Sequence, residues 1–260
     1  MAQTSTPSSV PDQLPHYPVN LELAGRRCLV VGGGNVALRK ISGLVSAGAV
    51  VTVLAPDVLP AIRALAATLD PTKHRAHIEI VERSYAPGDL AGVRLVITCT
   101  NDAAVNHQVF LDAEAANVWS NSADDPVNCA FTLPSVARQG DLQLTASTRG
   151  RSPALSMWLR RRFEAEFDPR WSDLLDLLAD VRTEARATLG TSEVSGWLEA
   201  LDGGVASLVL AGEVDAAREL LRQSLGLVAT AVPAPHKVNP LPAPIGAFES
   251  IVTSELIDAR

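Results

Sequence analysis

Three small residues with G-x-G-x-x-A spacing, Gly32, Gly34 and Ala37, directly follow the apolar run Cys28–Val31. The first glycine permits a tight turn, and the second lets a pyrophosphate approach the main chain closely. The alanine lets a helix pack against its strand, and the N-terminus of that helix offers free N–H groups and a partial positive charge. A glycine-rich turn that binds nothing is the alternative, but the strand–turn–helix context favours a dinucleotide site.

Acidic and polar residues after two other predicted strands complete this nucleotide site. Asp57 follows the second strand, where an acidic side chain often binds the ribose hydroxyls, although capping of the next helix is an alternative role. No arginine stands beside Asp57 in the sequence to favour a 2′-phosphate, so the expected cofactor is NAD rather than NADP. The predicted cofactor-binding residues are Gly32, Gly33, Gly34, Asn35, Val36, Asp57, Thr98, Thr100 and Asn101.

Five arginines and no acidic residue lie between positions 149 and 162, in a chain whose formal net charge is −7. Arg149 and Arg151 stand just before Ser152 and a proline, a pair typical of a helix start. Forked guanidinium donors beside free backbone N–H groups suit carboxylates or phosphates, so we expect a polyanionic substrate. For Arg160–Arg162, a solvated helix face is an equally good interpretation.

Alternating strands and helices must position these groups. The predicted strands are Arg27–Val31, Val50–Leu54, His77–Val81 and Arg94–Thr98, and the predicted helices are Asn35–Ala47, Leu59–Ala67 and Ala103–Asn117. This alternation predicts a parallel sheet covered on both faces, with the ligand at the carboxyl ends of the strands. Asn101 or Asp102 would cap the third helix, and Ser84–Gly92 is expected to be a loop or a single turn.

The pattern changes near Val118. Two strands, Phe131–Val136 and Leu142–Ser147, are predicted to pair through a turn at Gln139–Asp141. The chain then looks helical, with predicted helices at Pro153–Glu166, Trp171–Leu189, Ser192–Leu201 and Val214–Leu225.

Two common classes of enzyme with this nucleotide fold are excluded. A short-chain dehydrogenase needs a Tyr-x-x-x-Lys pair, and neither Tyr17 nor Tyr85 has a lysine four residues later. A zinc alcohol dehydrogenase would need more cysteine and histidine at ligand spacing. The three cysteines, Cys28, Cys99 and Cys129, are widely spaced and fit neither a disulfide framework nor a zinc site, so no standing metal site is predicted.

The composition limits the partners further. Aromatic residues make up 4% of the 260 residues, and 22 basic side chains stand against 29 acidic ones, which disfavours a nucleic-acid binder. The sequence shows no secretory segment and no apolar run near the ~18 residues that a membrane span needs. A cytoplasmic location without a membrane partner is the resulting expectation.

Four motifs follow one another along the chain: Gly32–Lys40, Asn121–Pro126, Phe131–Ser135 and Ser147–Pro153. They carry the patterns Gly-Gly-Gly-x-Val-Ala-x-Arg-Lys, Asn-x-x-Asp-x-Pro, Phe-x-x-Pro-Ser and Ser-Thr-x-Gly-x-Ser-Pro. In this order they resemble the precorrin-2 dehydrogenase / sirohydrochlorin ferrochelatase family, the N-terminal half of bifunctional siroheme synthases. No second glycine-rich strand–turn follows residue 205, so the chain resembles the free-standing form.

The resemblance implies an NAD-dependent enzyme that oxidises precorrin-2 to sirohydrochlorin. Precorrin-2 carries eight carboxylates, which would explain an arginine cluster in an acidic protein. The functional aspartate of the family matches Asp124, which could accept a proton as hydride departs or remove pyrrole N–H protons during metal insertion. A turn role ahead of Pro126 is the alternative, and it is the preferred role for Asp125. The substrate-binding residues by this resemblance and the arginine argument are Thr148, Arg149, Arg151 and Ser152.

The resemblance also leaves alternatives open. Family members commonly carry Thr-Gly-Gly-x-Ser-Pro, whereas Arg149 replaces the first of these glycines here. The alternatives are a non-catalytic tetrapyrrole- or nucleotide-binding module and a chelatase alone, which would take ferrous or cobaltous ion as a substrate. The family further implies a homodimer in which residues 115–150 exchange between partners.

The expected fold class is α/β, with a Rossmann-like parallel sheet, a small α+β dimerisation segment and a helical C-terminal domain. The expected divisions are a disordered leader at 1–18, an NAD-binding domain at 19–117, the dimerisation segment at 118–150, the helical domain at 151–228 and a Pro-rich tail at 229–260.

Overall fold

The computed structural model describes residues 15–69, 76–123 and 125–227. The first of two compact units comprises the described residues up to Leu133 together with Arg149–Arg151. The second comprises Pro134–Thr148 and the described residues from Ser152 onward. The predicted tail and most of the predicted leader lie outside the described residues. In the described part of the chain, no helix combines the length and apolar character needed to cross a membrane.

A parallel sheet of five described strands, in the order β3-β2-β1-β4-β5, forms the centre of the first unit. The strands are β1 (Arg27–Val31), β2 (Val50–Leu54), β3 (His77–Val81), β4 (Leu95–Thr98) and β5 (Trp119–Ser122), and the helices are α1 (Asn35–Ser46), α2 (Pro60–Thr68) and α3 (Ala103–Ala116). The predicted α/β fold is therefore confirmed, and its strand order reverses between β1 and β4. Ligands bind at such a switch point in open α/β sheets.

Apolar side chains cover both faces of the sheet, as the strand sequences predicted. One cluster includes Val30, Ile41 and Ile62, which join β1 to α1 and α2. The opposite face packs Val96 of β4 against Val109 of α3. Each such buried side chain contributes about 1.5–3 kcal/mol relative to exposure. The Cys28 thiol lies in the first cluster, where burial raises its pKa to about 11, so it is a core residue.

An ion pair between Arg83 and Asp89 stabilises the loop between β3 and β4. Arg83 donates to both carboxylate oxygens of Asp89, at 2.8 and 2.6 Å, and the Ala86 N–H donates to Asp89 at 2.8 Å. These donors hold the pKa of Asp89 below its usual value. The expected loop at Ser84–Gly92 is confirmed, and it places Leu90 in the core beneath α3.

The strand β5 was not predicted from the sequence. Its sequence from Trp119 to Ser122 is polar, yet Ser120, Asn121 and Ser122 are all buried. The strand pairs with β4 so that Thr98 lies opposite Ser122. The sheet therefore extends to Ser122, beyond the boundary expected at residue 117.

The outer edge of β5 is covered by the chain that follows it. The Ala130 N–H donates to the Ser120 carbonyl at 2.8 Å, and the Asn121 side-chain amide donates to the Phe131 carbonyl at 2.9 Å. The Ser122 N–H donates to the Cys129 sulfur at 3.2 Å. We call residues 129–131 the edge segment.

The second unit combines a hairpin with helices. Its described elements are β6 (Ser135–Gln139), β7 (Leu142–Ala146), α4 (Pro153–Glu166), α5 (Arg170–Leu189), α6 (Trp197–Ala200), α7 (Ala206–Leu210) and α8 (Val214–Ser224). The two strands are antiparallel with Gln139 opposite Leu142, so the turn is where it was predicted. The first strand begins at Ser135 rather than Phe131, because Pro134 has no N–H for a ladder and the Phe131 carbonyl is bonded to Asn121.

The helix predicted over Ser192–Leu201 is wrong in its extent. Only Trp197–Ala200 is α-helical there, and a π-helical turn at Leu201–Val205 follows. Gly196 and Gly204 have φ values of +106° and +119°, which no right-handed helix accepts. Around these breaks, Leu177 and Val181 of α5 pack with Val205 and Leu221 to form the core of this unit.

Candidate functional site

The three glycines between β1 and α1 face three different surroundings. Gly32 has a φ of +123°, and a Cβ there would lie 2.6 Å from the Cys99 carbonyl oxygen. A Cβ on Gly33 would overlap the Asp57 carbonyl oxygen and lie 2.9 Å from Val58 Cα. A Cβ on Gly34 would meet no protein atom within 4 Å. Two glycines are therefore required by the fold itself, and the third leaves open space at the end of the helix.

That open space adjoins the N-terminus of α1. Gly34 is the N-cap residue and has no side chain to accept hydrogen bonds from the first-turn N–H groups. Gly34 and Asn35 are exposed and Val36 is half-buried, while Ala37 is fully buried in the core. The first helical turn can therefore present N–H donors and the positive end of the helix dipole to an anion, as the spacing predicted.

Asp57 lies beside this turn. The Leu59 N–H donates to the Gly33 carbonyl at 3.0 Å, which draws the chain after β2 against the glycine turn. The N-cap of α2 is Leu59, so the alternative role of Asp57 as a helix cap is wrong. Asp57 is exposed and contributes to a cleft of about 350 Å³. The cleft is lined by Gly33, Gly34, Asp57, Val58, Leu59, Pro60, Arg63 and Glu82.

Arg63 and Glu82 are residues of this cleft that sequence reasoning missed. Arg63 Nη2 lies 2.8 Å from Glu82 Oε2, and Arg63 Nη1 lies 3.0 Å from Oε1. The hydrogen bonds raise the pKa of Arg63 and lower that of Glu82. Arg63 stands six positions after Asp57 on α2, and Glu82 follows β3, so only the pairing of β2 with β3 brings all three together.

The end of β4 meets the glycine turn from the other side. The Cys99 N–H donates to the Val31 carbonyl at 2.7 Å, which brings Thr98 and Thr100 next to the turn. Thr98 is buried in β4. The Thr100 hydroxyl lies 2.8 Å from Asn106 Oδ1 and accepts from the Asp102 N–H at 3.1 Å.

The residues just after Thr100 begin α3. The Asp102 carboxylate accepts from the N–H groups of Ala104 and Val105, so Asp102 is the N-cap of α3. This leaves Asn101, which is exposed, as the polar residue of the pair that does not cap the helix.

The predicted catalytic residue, Asp124, lies outside the described residues. Its neighbour Asp125 accepts a hydrogen bond from Asn128 Nδ2 at 2.6 Å, and Asn128 Oδ1 lies 2.8 Å from His107 Nδ1. Asn128 is buried, so its amide joins the turn after β5 to α3. Asp125 thus makes the contacts of a residue that supports a turn. Desolvation raises the pKa of the nearby Cys129 thiol.

The loop before α4 is built by its own hydroxyl groups. The Thr148 hydroxyl accepts from the Ser152 N–H at 3.1 Å, and the Ser152 hydroxyl accepts from the Leu155 N–H at 3.2 Å as the N-cap of α4. Arg149 has a φ of +55° and Gly150 a φ of +75°. Arg149 therefore keeps a left-handed backbone, which glycine adopts readily and other residues adopt rarely.

No group of three or more His, Cys, Asp or Glu side chains that could hold a metal ion occurs among residues 15–69, 76–123 and 125–227.

Known proteins are similar to most of this chain. A family model of NAD(P)-binding proteins matches residues 19–135. The siroheme synthase of Methylobacillus flagellatus is 34% identical over 210 residues, which is 80% of this chain and 44% of that protein. The siroheme synthase of Thioalkalivibrio sulfidiphilus is 36% identical over 211 residues, 80% of this chain and 42% of that protein. The chain thus spans less than half the length of these curated relatives.

A solved structure extends the likeness to both units. The structure of SirC, precorrin-2 dehydrogenase, superposes with a TM-score of 0.59 and 28% sequence identity. The match covers 80% of this chain and 98% of that chain. Because 80% of this chain is more than its first unit contains, the likeness includes residues of the second unit.

Proposed function

The chain is a homologue of the siroheme synthases and has the fold of a precorrin-2 dehydrogenase, and from this premise we propose that it oxidises precorrin-2 to sirohydrochlorin with NAD. The observation that carries the proposal is the likeness to SirC across nearly the whole of that chain, the helical region included. A nucleotide-binding domain alone would not identify the substrate, since such domains occur in enzymes with many different reactions.

The glycine turn fits the cofactor. A bound nicotinamide nucleotide supplies the hydride acceptor. The first-turn N–H groups of α1 would hold the diphosphate beside Gly34, where no protein atom lies within 4 Å of a Cβ position. The Asp57 carboxylate, which lines the same cleft, would accept hydrogen bonds from the adenosine ribose hydroxyls. The remaining proposed contacts are Gly32, Gly33, Asn35, Val36, Thr98, Thr100 and Asn101.

Asp124 is proposed to act as the general base that accepts the proton released from precorrin-2. Loss of two hydrogens from precorrin-2 delivers one hydride to the oxidised nucleotide and releases one proton. As a carboxylate, Asp124 would accept that proton and pass it to solvent. Asp125 is engaged with Asn128 and is assigned the structural role.

The loop before α4 is proposed to bind the carboxylates of the substrate. Arg149 and Arg151 supply guanidinium groups, which form charge-assisted hydrogen bonds to carboxylates. Thr148 and Ser152 shape the loop through their hydrogen bonds to each other and to the first turn of the helix.

An anaerobic assay with purified protein, NAD and precorrin-2 tests the proposal. We expect NADH and the absorption spectrum of sirohydrochlorin to appear together. Folded protein that produces neither would refute the dehydrogenase. Parallel reactions that add ferrous or cobaltous ion to sirohydrochlorin measure the chelatase activity. Light scattering gives the molar mass in solution and so tests the proposed homodimer.

Replacing Arg149 by glycine should weaken substrate binding without harming the loop. The KM for precorrin-2 should rise by roughly ten- to a hundredfold, because a charge-assisted hydrogen bond contributes about 1.5–3 kcal/mol. Glycine accepts the backbone angles of Arg149, so the melting temperature should stay close to that of the unaltered protein. Initial-rate kinetics check the first expectation and circular dichroism the second.

Arg161→Gln is the matched control for Arg149→Gly, since it removes one positive charge from an exposed position on α4. An equal rise in KM for both variants would mean that net charge, rather than the Arg149 side chain, attracts the substrate.

A further inference from the structure

Three charged side chains line the nucleotide cleft together with Gly33 and Gly34. Asp57 and Glu82 each carry a carboxylate and Arg63 carries the guanidinium. An acidic residue after β2 suits a ribose with free hydroxyls, whereas an arginine in the same place suits a 2′-phosphate. The cleft contains both kinds of residue, so its preference depends on how the arginine is used.

In the structure, Arg63 is paired with Glu82. Both terminal nitrogens of Arg63 donate to the two carboxylate oxygens of Glu82, at 3.0 and 2.8 Å. This is the paired fork geometry in which a guanidinium also binds a phosphate. Two N–H donors of Arg63, one on each terminal nitrogen, are therefore engaged by a carboxylate of the protein in the arrangement that a 2′-phosphate would need.

A 2′-phosphate that approached Arg63 would meet an unfavourable electrostatic field. It would have to displace Glu82 from Arg63, and it would then lie near two carboxylates, those of Glu82 and Asp57. Repulsion from two carboxylates opposes the one attraction that Arg63 offers. A ribose hydroxyl needs no such displacement, because it donates to Asp57.

We propose that the Arg63–Glu82 pair makes this site select NAD against NADP, with Glu82 withholding Arg63 from the 2′-phosphate. The inference rests on the proposed function, since it concerns the nucleotide of that reaction. It identifies Glu82 as a specificity-determining residue that acts on the cofactor through Arg63.

Binding of the two nucleotides to the 260-residue chain, without tetrapyrrole, tests the inference. Fluorescence titrations with NADH and NADPH give the ratio of their dissociation constants. Glu82→Gln keeps the shape of the side chain and removes its charge, so it should shift that ratio toward NADPH by roughly tenfold or more, the effect of one charge-assisted hydrogen bond. Glu82→Ala serves as a second variant should the glutamine substitution disturb folding.

Two further variants identify the cause. Adding Arg63→Ala to Glu82→Gln should abolish the gain for NADPH, because the freed guanidinium is what binds the phosphate. Glu79→Gln is the matched control, since Glu79 is exposed on β3 and does not line the cleft. It should leave the ratio unchanged.

The outcomes distinguish failure of this inference from failure of the proposed function. Tight binding of both nucleotides, with a ratio that moves less than threefold in the Glu82 variants, would overturn this inference and leave the proposed function standing. A gain for NADPH that persists without Arg63 would also overturn it. Failure of the unaltered protein to bind either nucleotide would overturn the proposed function and this inference together.

Discussion

Asp124→Asn should lower the turnover of precorrin-2 by roughly 10²–10⁴-fold, the usual contribution of a general base. The amide cannot accept the proton that leaves the substrate, yet it has nearly the same size and can still hydrogen-bond. The KM for precorrin-2 should therefore change much less than kcat. Stopped-flow measurement of NADH formation, with precorrin-2 varied at saturating NAD, gives both constants.

Asp125→Asn is the control for this substitution, because it makes the same chemical change one residue later. Asp125 accepts a hydrogen bond from the buried Asn128, and asparagine can still accept it but without the charge. The substitution should therefore cost about 1 kcal/mol of stability while most of the turnover remains. Equal rates for the Asp124 variant and the unaltered protein would remove Asp124 from the mechanism. A larger kcat loss in the Asp125 variant would reassign the role to its neighbour.

Alanine at Gly33 should mainly lower the stability of the fold, whereas alanine at Gly34 should mainly weaken nucleotide binding. A Cβ on Gly33 would overlap the Asp57 carbonyl oxygen, so Gly33→Ala should lower the free energy of unfolding by about 1–3 kcal/mol, as overpacking does. Gly34→Ala meets no protein atom and should cost no more than about 1 kcal/mol at this N-cap.

Gly34→Ala should instead weaken nucleotide binding. The added methyl group would lie where the diphosphate is proposed to approach α1, so Gly34→Ala should raise the dissociation constant of NADH by roughly ten- to a hundredfold, equivalent to one lost charge-assisted hydrogen bond. Urea denaturation and fluorescence titration of the same preparations measure the two quantities. A Gly34 variant that binds NADH normally would show that the diphosphate does not cross this residue.

The sequence predicted the parts of the molecule whose constraints are local. The strand, the glycine turn and the helix around Gly32–Ala37 follow one another within a dozen residues, so spacing alone indicates their geometry. The cap of α4 at Ser152 was predictable for the same reason.

Features that depend on distant residues were not predictable. The polar residues Ser120–Ser122 give no strand signal, because their burial depends on β4 and on the edge segment. Arg63 and Glu82 come from different elements, and no spacing rule relates them before the sheet is assembled. The left-handed backbone of Arg149 was not predicted, because an arginine in the sequence does not indicate a positive φ.

The edge segment has a consequence for how copies of this protein can associate. An uncovered border strand recruits strands from other molecules, which leads to sheet extension and aggregation. Here the Ser120 carbonyl and the Ser122 amide already have partners in Ala130 and Cys129. The β5 border is thus closed by the Ala130 backbone and the Cys129 side chain, so a second molecule joining on this side would do so through side chains rather than by lengthening the sheet.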